Sequence, residues 1–394
     1  MKITTIWWGN GQSNILDAFF RYFPESYEIT SIVSMSDDGR TTWVLMREYK
    51  KAFHIHLPPP GDLRRCLFSL SQSLNRDLYK ILFETVLTSE NIVSSCTLKN
   101  LFELTYVQNL QENHSVENQN ILKNFETILD EIRSYNPSLL EIKLPLEISL
   151  SGHKFGNILM AALFHYFWDF EKMVEVMNSL LQVRGKVLPV TTQSAHIQAV
   201  LENGEIIETQ DNISNVCDYS SHIQRLELMQ NSKDAKRAGN IDEVIQKSDY
   251  IILGPGDLFT STIANLIIWW MKESLKNSKA KIVFILNNTN KWGETEWFSV
   301  MDFILHLERY IGRKIDILVA NNKRLALAKS QKEKLQSDIS VKWWEYIYLT
   351  ENERFFLEWR QTHILEWDFI DRDTLYKHHK KYLCTALLEL FSKE

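Results

Sequence analysis

Five short segments carry residue types that could bind an anion or a cation. WGNGQSN (8–14) resembles a phosphate-cradling turn, because small residues let backbone N–H groups and a helix N-terminus approach an anion. It lacks the third glycine of the dinucleotide fingerprint. SMSDDGR (34–40) sets Asp37 and Asp38 side by side. Either both cap a turn, or one reaches a ligand or a Mg²⁺ ion that phosphate oxygens also bind. LPPPGDLRRCL (57–67) puts Asp62 where a helix N-cap belongs, with Arg64 and Arg65 in the first turn. Two cations there oppose the helix dipole and point weakly to an anionic partner. SGHKFGN (151–157) holds His153, Gly156 and Asn157 at a helix start. A single histidine is commonly structural, whereas Asn157 has an amide suited to a base or a phosphate. LGPGDLFTS (253–261) gathers Gly254, Gly256, Asp257 and Ser261 into a second anion-type cradle.

These segments need elements to hold them. KITTIWW (2–8), EITSIVSM (28–35), SDYIILGPG (248–256), KIVFILNNTN (281–290) and KIDILVANN (314–322) are β-branched or apolar runs with polar or glycine-rich ends. Helical spacing recurs between them, in NILDAFFRYF and over 155–168, 171–181, 261–276 and 298–311. Alternating buried strands and amphipathic helices predict a mostly parallel sheet covered on both faces. Ligands of such sheets sit outside the strands' carboxyl ends, where the polar endings fall. The stretch 187–213 alternates around Asn203-Gly204 and predicts an appended antiparallel hairpin. Residues 75–146 lack glycine and are expected to form a helical insertion. Residues 323–394 are expected to be a helical and strand extension packed on the core of a single domain.

Composition narrows the function classes. The chain has 394 residues, a net charge of −6 and no basic bias, which argues against nucleic-acid backbone binding. Apolar residues make up 44% and charged residues 24%, as in a soluble globular protein. No apolar stretch reaches membrane-span length, since IANLIIWWM stops at Lys272. The four cysteines are scattered without a CxxC pair, so a cytosolic, reduced setting is expected. Glycine is scarce at 13, and nine fall in the segments above or at Gly293. That clustering favours a shared site over ordinary turns.

In order, the segments resemble the family that unites the bacterial gluconeogenesis factor with 2-phospho-L-lactate transferase, the CofD/YvcK-like family. Its GGGTG turn matches WWGNG, keeping Gly9 and Gly11, and its DDGGSSG loop matches 37–43. Its PPGDIRNCL matches 59–67, GHxxGN matches 152–157, and GPGSLYTS matches 254–261 with Asp257 replacing serine. Its N-x(5)-GET matches 287–295. The resemblance implies a Rossmann-like three-layer α/β fold with one nucleotide-type site. In one branch, Mg²⁺ and a GDP-activated phospholactate-like donor meet a deazaflavin alcohol. In the other, a UDP-activated sugar is bound, serving growth on non-sugar carbon and cell-wall regulation.

The residues that inherit roles are Asp37, Asp38 and Asp62 as catalytic groups, with Asp37 and Asp38 as metal ligands. Gly9, Asn10, Gly11, Arg40, Arg64, His153, Gly156, Asn157, Gly254, Gly256, Asp257, Ser261 and Asn287 are the expected ligand-binding set. The sequence departs from the family where Trp7, Trp8, Arg40 and Trp43 replace glycines. Arg40 could pair with phosphate and stand in for part of a cation. The expectation is a cytosolic nucleotide- or nucleotide-sugar-binding protein with Mg²⁺ as cofactor, with no nucleic-acid or membrane partner and with a homodimer allowed. A Mg²⁺-dependent phospho-transferase and a scaffold without its ligand are the alternatives.

Overall fold

A computed structural model of the chain describes residues 1–7, 9–37, 39–88, 96–112, 115–144, 150–215, 221–337 and 343–393. The strands are β1 (Lys2–Ile6), β2 (Glu28–Val33), β3 (Lys186–Pro189), β4 (Ile197–Leu201), β5 (Ile206–Glu208), β6 (Ile223–Leu228), β7 (Tyr250–Leu253), β8 (Lys281–Ile285), β9 (Thr289–Lys291), β10 (Ile317–Asn321), β11 (Trp343–Tyr346) and β12 (His363–Trp367). Seven of them form one sheet in the order β12-β10-β8-β7-β1-β2-β3, with every adjacent pair parallel.

The strand sequences explain this burial. In β7, Tyr250 and Ile252 enter the apolar core on one face, while Ile251 and Leu253 enter the core on the other. Ile29 and Val33 of β2 divide from Ile32 in the same way. Side chains alternate faces along a strand, so a run that is apolar at every position must be covered twice. The first face is covered by α1 (Asn10–Tyr22), α2 (Arg40–Phe53), α3 (Gly61–Ser69) and the helices that follow: α4 (Arg76–Glu84), α5 (Leu98–Glu112), α6 (Val116–Leu122), α7 (Phe125–Tyr135), α8 (Phe155–Phe167) and α9 (Phe170–Leu180). The helices over 75–146 share this core; Phe102 of α5, for example, meets Phe155 of α8 edge-on at 4.7 Å.

The stretch read as a hairpin divides. β3 joins the main sheet, whereas β4 and β5 pair antiparallel and gain β6 on the other side of β4. After β5 comes a short helix, α10 (Gln210–Asn215). KIVFILNNTN also divides: β8 stays in the sheet, and β9 turns away to pair antiparallel with β11. The expected helix over 261–276 is broken into Leu258–Ile263, Ala264–Leu266 and Met271–Asn277. Its first turn is wide, because the Asp257 carbonyl accepts both Ser261 N–H and Thr262 N–H at 3.0 Å. In the last part of the chain, β12 closes the sheet edge beside β10 and the helix Lys380–Ser392 packs on α1. Among the described residues, no helix is long and apolar enough to cross a membrane.

Candidate functional site

The strand order reverses between β1 and β7. From β1 the chain builds outward to β2 and β3, and from β7 it builds the opposite way to β8, β10 and β12. This switch point, at the sheet's carboxyl end, is where doubly wound sheets form a crevice and bind their ligands. Gly9 (φ 86°) leads into α1, whose N-terminus has no side-chain cap. The loop after β7 presses on this turn. A Cβ on Gly11 would stand 2.4 Å from the Pro255 carbonyl oxygen, and one on Gly256 would stand 3.4 Å from Trp7 Cδ1 and 3.3 Å from Ser261 Cβ. Only glycine permits this apposition. Trp7 itself is fully buried and packs under the β7 loop rather than in the crevice. Gln12 locks α1 down: its Nε2 donates to Ser31 Oγ at 2.9 Å, and its Oε1 accepts Cys66 Sγ–H of α3 at 3.3 Å.

One wall of the crevice is tied together by a connected set of hydrogen bonds, although Trp7 Nε1, Asn288 Oδ1 and Asn290 Oδ1 near it have no partner. The Asn287 amide accepts Gly256 N–H at 3.1 Å and donates to Gly256 O at 2.9 Å, holding that loop as a strand neighbour would. Lys291 Nζ donates to Glu294 Oε1 (2.8 Å), Ser214 Oγ of α10 (2.9 Å) and Asp257 Oδ2. Glu294, itself buried, accepts Thr260 Oγ–H at 2.7 Å and Phe259 N–H at 3.3 Å. Burial alone would lower the Lys291 ammonium, but Asp257 and Glu294 outweigh it and hold it above its usual range. Burial pushes the Glu294 carboxyl up, and Lys291 opposes that shift. Ser261 lies buried at the turn between Gly9 and Gly256.

The other wall is less connected. Asp37 Oδ1 accepts Gly39 N–H at 3.1 Å. A Cβ on Gly61 would stand 3.0 Å from Asp37 Oδ2 and 3.2 Å from Thr42 Oγ1, so the start of α3 lies directly on the β2 loop. Asp62 is buried; its Oδ1 takes Arg65 Nη1–H at 2.7 Å, while its Oδ2 has no partner. Burial, and then the nearby Asp37 charge, push the Asp62 carboxyl up to about 7. Asp37 is also raised by burial, with Asp211 of α10 adding to the effect and Gly39, Arg65 and Thr42 opposing it. A Cβ on Gly39 would stand 3.4 Å from Asp211 Oδ1, so α10 borders both walls.

The structure thus brings Gly9, Gly11, Gly254, Gly256, Asp257, Ser261 and Asn287 together on the first wall, and Asp37 and Asp62 together on the second. Arg64 and Gly156 are placed elsewhere. Arg64 is 1% exposed, paired with Glu84 at 3.0 Å and donating to Phe83 O at 3.1 Å, and a Cβ on Gly156 would stand 2.6 Å from its Cδ. Gly156 is there to let α8 approach Arg64 and Phe83. His153 and Asn157 are buried behind α2 and α3, with His153 Nδ1 and Asn157 Oδ1 unpartnered. Burial lowers the His153 imidazole, which favours its neutral form. Asp38 lies outside the described residues, and Asn10 and Arg40 are described by backbone alone, as the first residues of α1 and α2. Trp43 stands on α2, about half exposed.

Arg65, Asp211, Lys291 and Glu294 complete the crevice and were not singled out from sequence as site residues. From sequence Arg65 stands out only together with Arg64 as a pair of cations, and Lys291 and Glu294 lie on either side of the glycine of the NNTNKWGET segment. Among the described residues no three His, Cys, Asp or Glu side chains converge on a metal position. Mg²⁺ ordinarily takes one or two carboxylates plus ligand phosphates and water. The partly exposed Asp37 and the unpartnered Asp62 Oδ2 fit that smaller demand.

A parallel α/β sheet with a glycine-lined crevice at its switch point defines a class with nucleotide-related function. Within it, this chain belongs to the CofD family, whose model, described as 2-phospho-L-lactate transferase CofD, matches residues 3–345. It is 29% identical over 313 residues to the gluconeogenesis factor of Halalkalibacterium halodurans, covering 79% of this chain and 74% of that protein. A Thermotoga maritima protein, provisionally named a gluconeogenesis factor, is 26% identical over 324 residues, covering 82% and 80%. The crystal structure of a UPF0052 family member from Bacillus halodurans superposes with a TM-score of 0.70 at 23% identity, covering 98% of this chain and 99% of that one.

Proposed function

We propose that the chain binds a nucleoside-diphosphate-linked ligand, of the nucleotide-sugar kind, in the switch-point crevice, and that it acts as a cytosolic binding protein in metabolic regulation. The observation that carries this reading is the glycine-only contact of Gly11 with Pro255 beside the uncapped start of α1. It brings the backbone N–H groups of a helix start close to the loop of the neighbouring strand, a geometry suited to phosphate. The names of the relatives support the regulatory side of the reading. The buried free thiols of Cys66, Cys96 and Cys384 support the reducing compartment.

Mg²⁺ would be held by Asp37, with Asp62 beside it, and would neutralise ligand phosphate charge there. The chain's own groups do the remaining work. Asn287 and Glu294 fix the β7 loop, and Arg65 orients Asp62. A second reading, a transferase resembling 2-phospho-L-lactate transferase, is favoured by the family match and by two raised carboxyls side by side, one of which could take a hydroxyl proton.

Thermal shift with UDP-glucose, GDP and NAD tests the binding reading. Ligand at a hundred times its Kd adds about 2.7 kcal/mol to the folded state. UDP-glucose or GDP should raise the melting temperature more than NAD does. Stabilisation by NAD alone would overturn the proposal. GMP release from a GDP-activated donor, dependent on a deazaflavin acceptor and lost in Asp37→Asn, would replace binding with transfer.

A further inference from the structure

The helix Glu351–Trp359, which leads into β12, carries the large apolar side chains Phe355, Phe356, Leu357 and Trp359 but buries only Leu357. Phe355 is 73% exposed and Trp359 is 72% exposed, and the Phe356 ring stacks beside Trp359 with centroids 5.9 Å apart. The helix Val300–Ile311 runs alongside. Glu353 accepts Met301 N–H at 3.0 Å, and both Glu308 oxygens accept Arg360 Nη2–H, at 2.6 and 2.7 Å. Each contact spans 52 positions, so the two helices are parallel and in step. Met301, Leu305 and Glu308 share one helix face at i, i+4 and i+7, which brings the exposed Leu305 beside Phe356. Leu305, Phe356, Trp359 and Phe355 therefore make one apolar patch on the outer helical layer. An aromatic side chain offers about 150–250 Å². At these exposures the patch supplies about half of the roughly 800 Å² per partner that a stable interface needs. A patch of that extent marks an interaction site.

We infer that this patch is a homodimer interface, in which the helix Glu351–Trp359 packs antiparallel on the same helix of a second copy across a two-fold axis. Charge selects that occupant. The helix begins with Glu351 and Glu353 in its first turn. It ends at Arg360, whose carbonyl accepts Lys314 Nζ–H at 2.9 Å. Glu358 is offset within the chain by Arg354 one turn earlier, which also pairs with Glu366 at 2.6 Å. Antiparallel pairing lays the acidic start of each helix against the basic end of the other, twice over, and opposes the two helix dipoles. It sets Phe355 of each copy against Trp359 of the other. An anionic membrane surface would instead meet the exposed Glu351 and Glu358. The patch stands beside the β12 edge, four strands from β1 and so roughly 19 Å from the switch point across the sheet. Assembly through it leaves the crevice open.

Analytical ultracentrifugation of the full chain at micromolar concentrations tests this. Wild-type protein should sediment as a dimer. Phe355→Ser and Trp359→Ser should each weaken the dimer about thirty-fold or more, the loss expected when a central interface aromatic is truncated. Their circular dichroism spectra should match wild type, because neither side chain is buried within the chain. Glu351→Lys and Lys314→Glu should each weaken the dimer a few-fold, as exposed ion pairs do. The double variant should recover wild-type affinity, because the reversed charges meet again across the axis. A wild-type chain that stays monomeric would overturn the inference. So would a dimer that Phe355→Ser and Trp359→Ser leave intact. A double charge reversal that dimerises no better than either single variant would contradict the antiparallel pairing and overturn the inference as well.

Discussion

The two walls of the crevice are built from the same kinds of residue and end in different states. On the β7–β9 side, Lys291 joins Asp257 and Glu294, Glu294 takes the Thr260 hydroxyl, and Asn287 pairs with the Gly256 backbone. On the β2–α3 side, Asp62 Oδ2 lacks a partner, burial and then Asp37 raise the Asp62 carboxyl, and His153 and Asn157 each keep an unpartnered atom. Buried polar groups are normally paired, and both walls keep exceptions: Asp62 Oδ2, a carboxylate oxygen, on this side, and Trp7 Nε1, Asn288 Oδ1 and Asn290 Oδ1 on the other. A connected network such as that around Lys291 holds a loop still. The comparison sets a cross-linked wall beside one that leaves a buried carboxylate oxygen open.

The largest effect that can break this division is on the Lys291 wall. Lys291→Met leaves Asp257 and Glu294 crowded without their cation. Removing one partner of a buried charge network costs about 3–5 kcal/mol. Chemical denaturation should show a loss of that size, with the melting temperature falling accordingly. A variant as stable as wild type would mean that the network is not an anchor.

Gly11→Ala comes next. Its new Cβ would stand 2.4 Å from the Pro255 carbonyl oxygen, and backbone must move to make room. Overpacking of this kind costs about 1–3 kcal/mol. Because the displaced atoms line the crevice, ligand binding should fall by more than the stability does. Unchanged binding and unchanged stability would show that the two loops do not meet as described.

Asp62→Asn should have the smallest effect on stability and one of opposite sense with pH. An acid raised on folding holds its proton more tightly in the folded state. Its stabilising contribution is complete below the unfolded value near ~4 and is lost as pH rises through about 7. Wild-type melting temperature should therefore drop relative to Asp62→Asn between those values. Parallel curves for the two proteins across that range would contradict the crowded-carboxylate account.

Much of the fold was legible because its signals are local. β1, β2, β7, β8 and β10 are short apolar runs whose polar ends announce the crevice. β3 and β12 were harder: β3 is four residues merged into a hairpin pattern, and the half-exposed β12 carries the mixed sequence HILEW. The wide turn that opens the expected helix over 261–276 draws on a tertiary contact, since Glu294 takes the Phe259 and Thr260 N–H groups from 35 and 34 residues away. The same limit hid the site's charges. Lys291 meets Asp257 across 34 residues, and nothing local separates Arg64 from Arg65. What sorts them is the α3 helix itself, which turns one toward Glu84 and the other toward Asp62.

Amide hydrogen exchange with and without GDP or UDP-glucose tests the placement of the ligand most directly. Binding at the switch point should slow exchange at Gly9–Ser13, around Gly39–Thr42, at Gly61–Arg65 and at Gly256–Ser261, while α5 to α7 exchange as before. Bound ligand that leaves those segments unchanged, or that protects only residues 98–135, would contradict the account.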